Sequence, residues 1–160
     1  MTIRAAVPAD IPEILALIRE LAEYEREPAA AVATAADLLR DGWGAQPRFR
    51  CLMAEEDGGA VVGFALYFYN YSTWRGRAGI YVEDLFVRPA YRGRGFGRAL
   101  LMRVVETAQA EGCGRVEWAV LNWNKLAIDF YEAMGAVPMS EWTTMRLSGD
   151  GLENLGAGSR

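Results

Sequence analysis

The run Arg92-Gly93-Arg94-Gly95-Phe96-Gly97-Arg98 sets three alternate glycines among three arginines. It follows the apolar segment Leu85-Phe86-Val87 and leads into a stripe of leucines and valines at helical spacing. A strand–loop–helix junction of this kind presents unpaired backbone N–H groups, the positive end of a helix dipole and guanidinium groups at one point. That chemistry receives a phosphate. The spacing is not that of a dinucleotide fingerprint, because Gly97 follows Gly95 too closely, and the P-loop ending Gly-Lys-Ser/Thr is absent. Further along, Asn124 and Tyr131 stand seven residues apart, two turns of one helix face. A phenol with an ordinary pKa near 10 can act as a general acid without itself ionising. Asn124 also reads as a helix cap and Tyr131 as a core aromatic beside Phe130.

Glu83 is the third candidate. Strict alternation along the strand groups Tyr81, Glu83, Leu85 and Val87 on one face, and Val82, Asp84 and Phe86 on the other. A carboxylate among mostly apolar neighbours is an odd placement unless it has a task. Asp84, on the opposite face, is expected to pair with one of the chain's arginines. Trp74 and Trp123 suit either stacking on a cation or packing at a rim.

Composition limits the alternatives. The chain has 160 residues, a formal net charge of −4 and no histidine. Imidazole bases, Ser-His and Cys-His pairs and histidine metal sites are therefore excluded, and no metal is expected. The two cysteines, Cys51 and Cys113, fall in no metal or redox spacing and read as bystanders. An acidic balance disfavours nucleic acid as a partner. No signal peptide or membrane-length apolar run is visible, so a cytoplasmic protein is expected.

The elements that must position these residues follow in order. A first strand is expected over 2–7, an amphipathic helix over 11–25 capped by Asp10, and a short helix from Thr34 to Asp41. A hairpin of strands 49–55 and 60–69 turns at 56–59, and 70–77 reads as a loop. A strand over 79–87 feeds the glycine loop, and a helix follows over 95–111. A strand over 115–121, a helix over 125–134 and a last strand over 142–147 complete the domain, 1–148. The glycine-rich tail 149–160 reads as loosely ordered. The expected class is mixed α/β, a single domain with about four helices on a sheet that contains hairpins and crossovers.

On these residues the chain resembles the GNAT superfamily of N-acetyltransferases, whose loop has the form Arg-x-x-Gly-x-Gly, here Arg92, Gly95 and Gly97. It is most similar to the branch that acetylates spermidine, spermine and thialysine. The matching pieces are E-L-A-E-Y-E at 20–25, D-L-L-R-D-G-W-G at 37–44, V-G-F-A-L-Y at 62–67 and Y-V-E-D-L-F-V at 81–87. Y-R-G-R-G-F-G at 91–97 and W-N-K-L-A-I-D-F-Y-E-A-M-G-A at 123–136 complete the set.

The resemblance implies a mostly antiparallel, twisted and splayed sheet, acetyl-coenzyme A as co-substrate, and a homodimer. It implies that Gly93, Arg94, Gly95, Phe96, Gly97 and Arg98, with Arg92, hold the pyrophosphate. Leu85, Phe86 and Val87 would carry the pantetheine arm on their backbone. Asn124, Lys125, Leu126 and Ala127 would line the coenzyme, and Tyr131 would protonate its thiolate. Glu83 would bind the amine and accept its proton, directly or through water, while Tyr24, Glu25, Glu117, Trp118 and Ala119 would complete the acceptor site. Glu25 reads equally as a solvated carboxylate.

Two departures bear on the acceptor. Thr143 stands where the polyamine enzymes carry another substrate glutamate, and Glu117-Trp118-Ala119 differs from their usual strand. A short diamine or lysine-like amine is favoured over a long polyamine. Direct transfer in a ternary complex is expected, because no side chain has the partner an activated nucleophile needs. A protein or peptide acceptor, and a non-catalytic acyl-coenzyme A-binding module, are the competing readings.

Overall fold

A computed structural model describes residues 1–157, and residues 158–160 of the tail lie outside the described residues. The chain forms two compact units, Met1–Leu121 and Asn122–Arg160. In the first, five strands form one open sheet in the order β1 (Thr2–Ala5), β2 (Arg50–Glu55), β3 (Val61–Ser72), β4 (Arg77–Val87) and β5 (Val116–Trp118). The first four pair antiparallel. Only β4 and β5 run parallel, joined by the crossover helix α3 (Phe96–Ala110).

Helices cover both faces, because β2 is apolar on both. Leu52 and Ala54 join Val62, Ala65, Tyr67, Ile80 and Val82 beneath Leu100, Val104 and Ala108 of α3. Cys51 and Met53 join Phe64, Leu66 and Phe86 beneath Ile11, Ile14, Leu17 and Leu21 of α1 (Ile11–Tyr24) and Leu38 of α2 (Ala35–Trp43). Each fully buried Leu, Ile or Phe contributes on the order of 1.5–3 kcal/mol. The apolar spacing 11, 14, 17, 21 puts one side of α1 against the sheet.

Local signals set the helix ends. Thr34 caps α2 by accepting from the Asp37 N–H at 3.2 Å, and Asp37 reciprocates at the Thr34 N–H. Asp10 precedes α1, but its carboxylate serves the Val7 N–H and the Arg4 guanidinium rather than α1. Arg88, just after β4, bridges to Glu13 at 2.7 Å and Glu20 at 2.8 Å and donates to the Val61 carbonyl. One guanidinium thereby ties the end of β4 to α1 and β3.

Several expected boundaries differ. β3 continues to Ser72 and β4 starts at Arg77, so the expected loop over 70–77 shrinks to a turn. The expected strand over 115–121 is only Val116–Trp118. The last strand expected over 142–147 does not form: Trp142, Met145 and Leu147 are exposed in irregular chain. The Asn122–Arg160 unit instead carries α4 (Lys125–Ala133) and, within the tail read as loose, α5 (Asp150–Ala157). Among the described residues no helix is long and apolar enough to cross a membrane.

The largest correction lies in β4. Leu66 faces Asp84 and Tyr67 faces Val82, so Glu83 is an extra residue with no partner in β3, a β-bulge. The strict alternation expected over 81–87 therefore fails. Val82 shares the α3 face with Leu85 and Val87, whereas Asp84 lies opposite Leu66 and shares the α1 face with Phe86.

Beyond the bulge β4 needs Gly63 of β3 as its partner. A Cβ at Gly63 would lie 2.5 Å from the Phe86 carbonyl oxygen and 3.1 Å from the Val87 Cα, both backbone atoms. Gly63→Ala is expected to cost about 1–3 kcal/mol through forced displacement of β4, read as a fall of several degrees in the thermal melt. An unchanged melting temperature would count against this close approach.

Candidate active site

The glycine loop takes the shape that its composition allows. Gly93 and Gly95 sit at φ 73° and 87°, in the left-handed region where a side chain is strained. Gly95 caps α3, and the first intrahelical bond runs from the Ala99 N–H to the Gly95 carbonyl at 2.9 Å. The amides of Phe96, Gly97 and Arg98 precede that bond at the positive end of a four-turn helix, a geometry suited to an anion. Phe96 is buried and anchors the turn, while Gly93, Arg94, Gly95 and Arg98 are exposed.

The arginines are used differently from one another. The Arg94 guanidinium lies over the rings of Tyr91 and Phe96, at 5.2 and 5.5 Å from their centroids, with Glu56 at 3.5 Å. The Arg92 guanidinium lies 4.3 Å from the Tyr24 ring centroid and 5.5 Å from that of Phe86, and its Nε donates to the Val87 carbonyl at 2.9 Å. Among the described residues Arg98 has no ion-pair partner.

The strand that feeds the loop has an open edge. β5 pairs with β4 only at Ile80, Tyr81 and Val82, so no strand covers β4 from Glu83 to Val87 on that side. The Arg88 N–H donates to Val62 in β3, so the Val87 carbonyl, across the same planar peptide, points to the open edge. Leu85 and Val87 therefore direct their backbone groups outward, and Phe86 directs its own towards β3.

Three carboxyl groups gather where α1 ends over β4. Asp84 is half-buried, and its pKa rises to about 7, chiefly through burial and then through the negative charges of Glu83 and Glu25. Desolvation lifts Glu25 as well, although that residue stays exposed at the helix end. Among the described residues no cation lies within ion-pair distance of any of the three. The arginine partner expected for Asp84 is thus absent; its neighbours are acids. Sequence reasoning passed over Asp84 because the bulge that turns it towards α1 leaves no trace in apolar spacing. The doublet Glu83-Asp84 inside a strand was the one available signal.

The remaining candidates are less exposed to a ligand or belong to the other unit. Glu117 is held by Arg115 Nε at 2.8 Å and Asn70 Nδ2 at 3.3 Å, beside Tyr81 in register. Trp118 packs against the α3-side core, and Ala119 lies just past β5. Within Asn122–Arg160, Asn124 caps α4 by accepting from the Ala127 N–H at 3.2 Å. Lys125 pairs with Asp129 at 2.7 Å, Leu126 is exposed, and Tyr131 is half-buried with its ring 5.2 Å from that of Phe130. Trp74 and Trp123 are both exposed, Trp74 at 91 %. Burial pushes the Cys51 thiol up to about 12, so it is no thiolate at neutral pH, and Cys113 also shifts upward.

An open mixed sheet whose bulged strand runs into a helix-capping glycine loop is the architecture of an acetyltransferase. The acetyltransferase (GNAT) family matches residues 13–136. Thialysine N-epsilon-acetyltransferase of Bos taurus is 42% identical, over 96% of this chain and 95% of its own. L-ornithine N5-acetyltransferase of Arabidopsis thaliana is 33% identical over 96% of this chain and 86% of its own. Among solved structures, an integron cassette protein from the mobile metagenome of V. cholerae superposes with a TM-score of 0.80 at 26% identity, covering 97% of this chain and 96% of its own. The chain belongs to the GNAT acetyltransferase family and is an N-acetyltransferase.

The Asp84 carboxyl gives a stability signature. Its pKa of about 7 in the folded chain stands well above the value near 4 of an unfolded aspartate. Between those values the folded state binds more protons, so stability falls as pH rises through the window, and the penalty is complete above it. Asp84→Asn is expected to raise the melting temperature at about pH 8 by several degrees and to change it little near pH 4. Equal differences at both pH values would show that Asp84 titrates normally.

Proposed function

We propose that this enzyme transfers the acetyl group of acetyl-coenzyme A to a primary amine of a short diamine or a lysine-like molecule. The observation that carries the acceptor class is the trio Glu25, Glu83 and Asp84, which lacks a cation of its own at the end of α1. An ammonium group satisfies those carboxylates, and the relatives named for thialysine and ornithine act on amines of this kind. The donor reading is supported by the amides of Phe96, Gly97 and Arg98, which precede the first intrahelical bond of α3, and by the stretch of β4 beyond Val82 that β5 does not pair with. Amides at a helix start suit a pyrophosphate, and an extended pantetheine arm suits an unpaired strand edge.

In this reading the amine nitrogen, having lost a proton to Glu83 directly or through water, attacks the acetyl carbonyl. The carbon–sulfur bond breaks, Tyr131 gives the departing thiolate its proton, and the second proton shed by the nitrogen passes through solvent to restore Tyr131. Asp84, poised about neutrality, shares the ammonium with Glu83 and Glu25. Positioning supplies much of the rate. Asn124, Lys125, Leu126 and Ala127 line the coenzyme, and Glu117, Trp118 and Ala119 border the acceptor. The reaction as written uses no metal. The reading takes the catalytic domain as residues 1–148 of a cytoplasmic protein, and the homodimer is what the resemblance implies.

Thiol release from acetyl-coenzyme A is to be followed across thialysine, lysine, ornithine, putrescine, spermidine, spermine and short peptides. Turnover is expected with the short amines and weakly with spermine. Tyr131→Phe should lower kcat by roughly 10²-fold or more; an unchanged kcat removes Tyr131 from the mechanism. Activity on peptides alone would overturn the acceptor class, and tight coenzyme binding without turnover on any amine would make the chain a binding module.

A further inference from the structure

Arg92 occupies the position that the glycine-loop pattern reserves for phosphate chemistry, yet its contacts run the other way. It opens the loop, immediately before the left-handed Gly93, while its guanidinium lies against Tyr24, the last residue of α1. The same group lies over Phe86 of β4, and Tyr24 and Phe86 face each other at 6.4 Å. Nε fixes the remaining freedom by donating to the Val87 carbonyl on the open strand edge. A flat cation placed over one aromatic ring, near a second and hydrogen-bonded at its edge is held in orientation as well as in place.

On the far side of this stack stand the acceptor acids. Glu25 follows Tyr24 directly, and Asp84 lies two residues before Phe86 on the same face of β4. Glu25 and Asp84 are close enough for the one to raise the pKa of the other. The loop is thus linked through Arg92 and the Tyr24–Phe86 pair to the chain segments that carry the carboxylates. All of it lies within Met1–Leu121.

We propose that Arg92 is a positioning residue that makes donor and acceptor binding mutually dependent. A coenzyme pyrophosphate that tightens Gly93–Gly95 further restrains Arg92, Arg92 restrains the end of α1, and Tyr24-Glu25 meets the amine with part of its entropy cost already met. By thermodynamic reciprocity a bound amine must tighten the coenzyme by the same factor. The proposal rests on the donor and acceptor reading given above. It adds that the two sites communicate through one guanidinium.

The test uses coenzyme A itself, which binds without turnover, and thialysine as the amine. Dissociation constants are measured calorimetrically for each ligand with and without saturating amounts of the other. In the unaltered enzyme each is expected to tighten the other at least about fivefold. Arg92→Lys keeps the charge and loses the plane and the Nε bond; Tyr24→Leu removes the ring. Both should bring the factor to within about twofold of unity, whereas Tyr24→Phe, which keeps the ring, should retain it. Simple loosening of α1 would weaken both ligands and leave their ratio alone, and melting curves check that each variant is folded. A Tyr24→Leu enzyme with full coupling, or an unaltered enzyme with none, overturns the proposal while leaving the acetyltransferase reading intact. Failure of the unaltered enzyme to bind coenzyme A or thialysine overturns the donor or acceptor reading, and the coupling with it.

Discussion

Glu83 has no partner in β3, and from that one unpaired residue the arrangement of the site follows. Upstream, Ile80 and Val82 turn to the α3 core; downstream, Leu85 and Val87 do so as well, an odd step that only an inserted residue allows. The insertion turns Asp84 and Phe86 to α1. It also coincides with the end of β4–β5 pairing at Val82, so the strand leaves β5 and runs on to the glycine loop paired with β3. A regular β4 would have sent Asp84 into the core beneath α3.

The charge distribution around this strand is selective. Arg88 takes up Glu13 and Glu20, Arg4 takes up Asp10 and Glu55, and Arg115 takes up Glu117. These half-buried pairs brace β1, β4 and β5 against their neighbours, and each leaves its carboxylate neutralised. Glu25, Glu83 and Asp84 share no such partner among the described residues. Burial of a carboxylate without a cation is costly, and the fold meets the cost by raising the Asp84 pKa instead of supplying an arginine. A protein with 17 basic residues does not lack the means to pair it.

The legible parts of this molecule were those in which a residue type has one physical use. Gly93 and Gly95 announced left-handed turns, Thr34 announced a cap, and the 11, 14, 17, 21 spacing announced the buried face of α1. The bulge was illegible because each face of Val82 to Val87, read by alternation, carries one carboxylate among apolar residues, so alternation carries no information about which side is which. The strand expected at 142–147 failed for a related reason: its β-forming residues have the right propensity, but propensity does not supply a partner strand. Asp84 and Arg92 depend on contacts made across the fold, to Glu25 and Tyr24, which no local pattern records.

The use made of the arginines bears on how the loop holds an anion. Arg92 and Arg94 are both engaged with aromatic rings, so the loop's charge serves first to fix its own shape. That leaves the amides of Phe96, Gly97 and Arg98, with the dipole behind them, and the exposed Arg98 guanidinium as the groups offered to an anion. Amides anchored to a buried residue such as Phe96 lose less freedom on binding than a long exposed side chain does. The division of labour also accounts for the glycines. An anion drawn to backbone must approach the backbone closely, and the absence of side chains at Gly93, Gly95 and Gly97 clears its path.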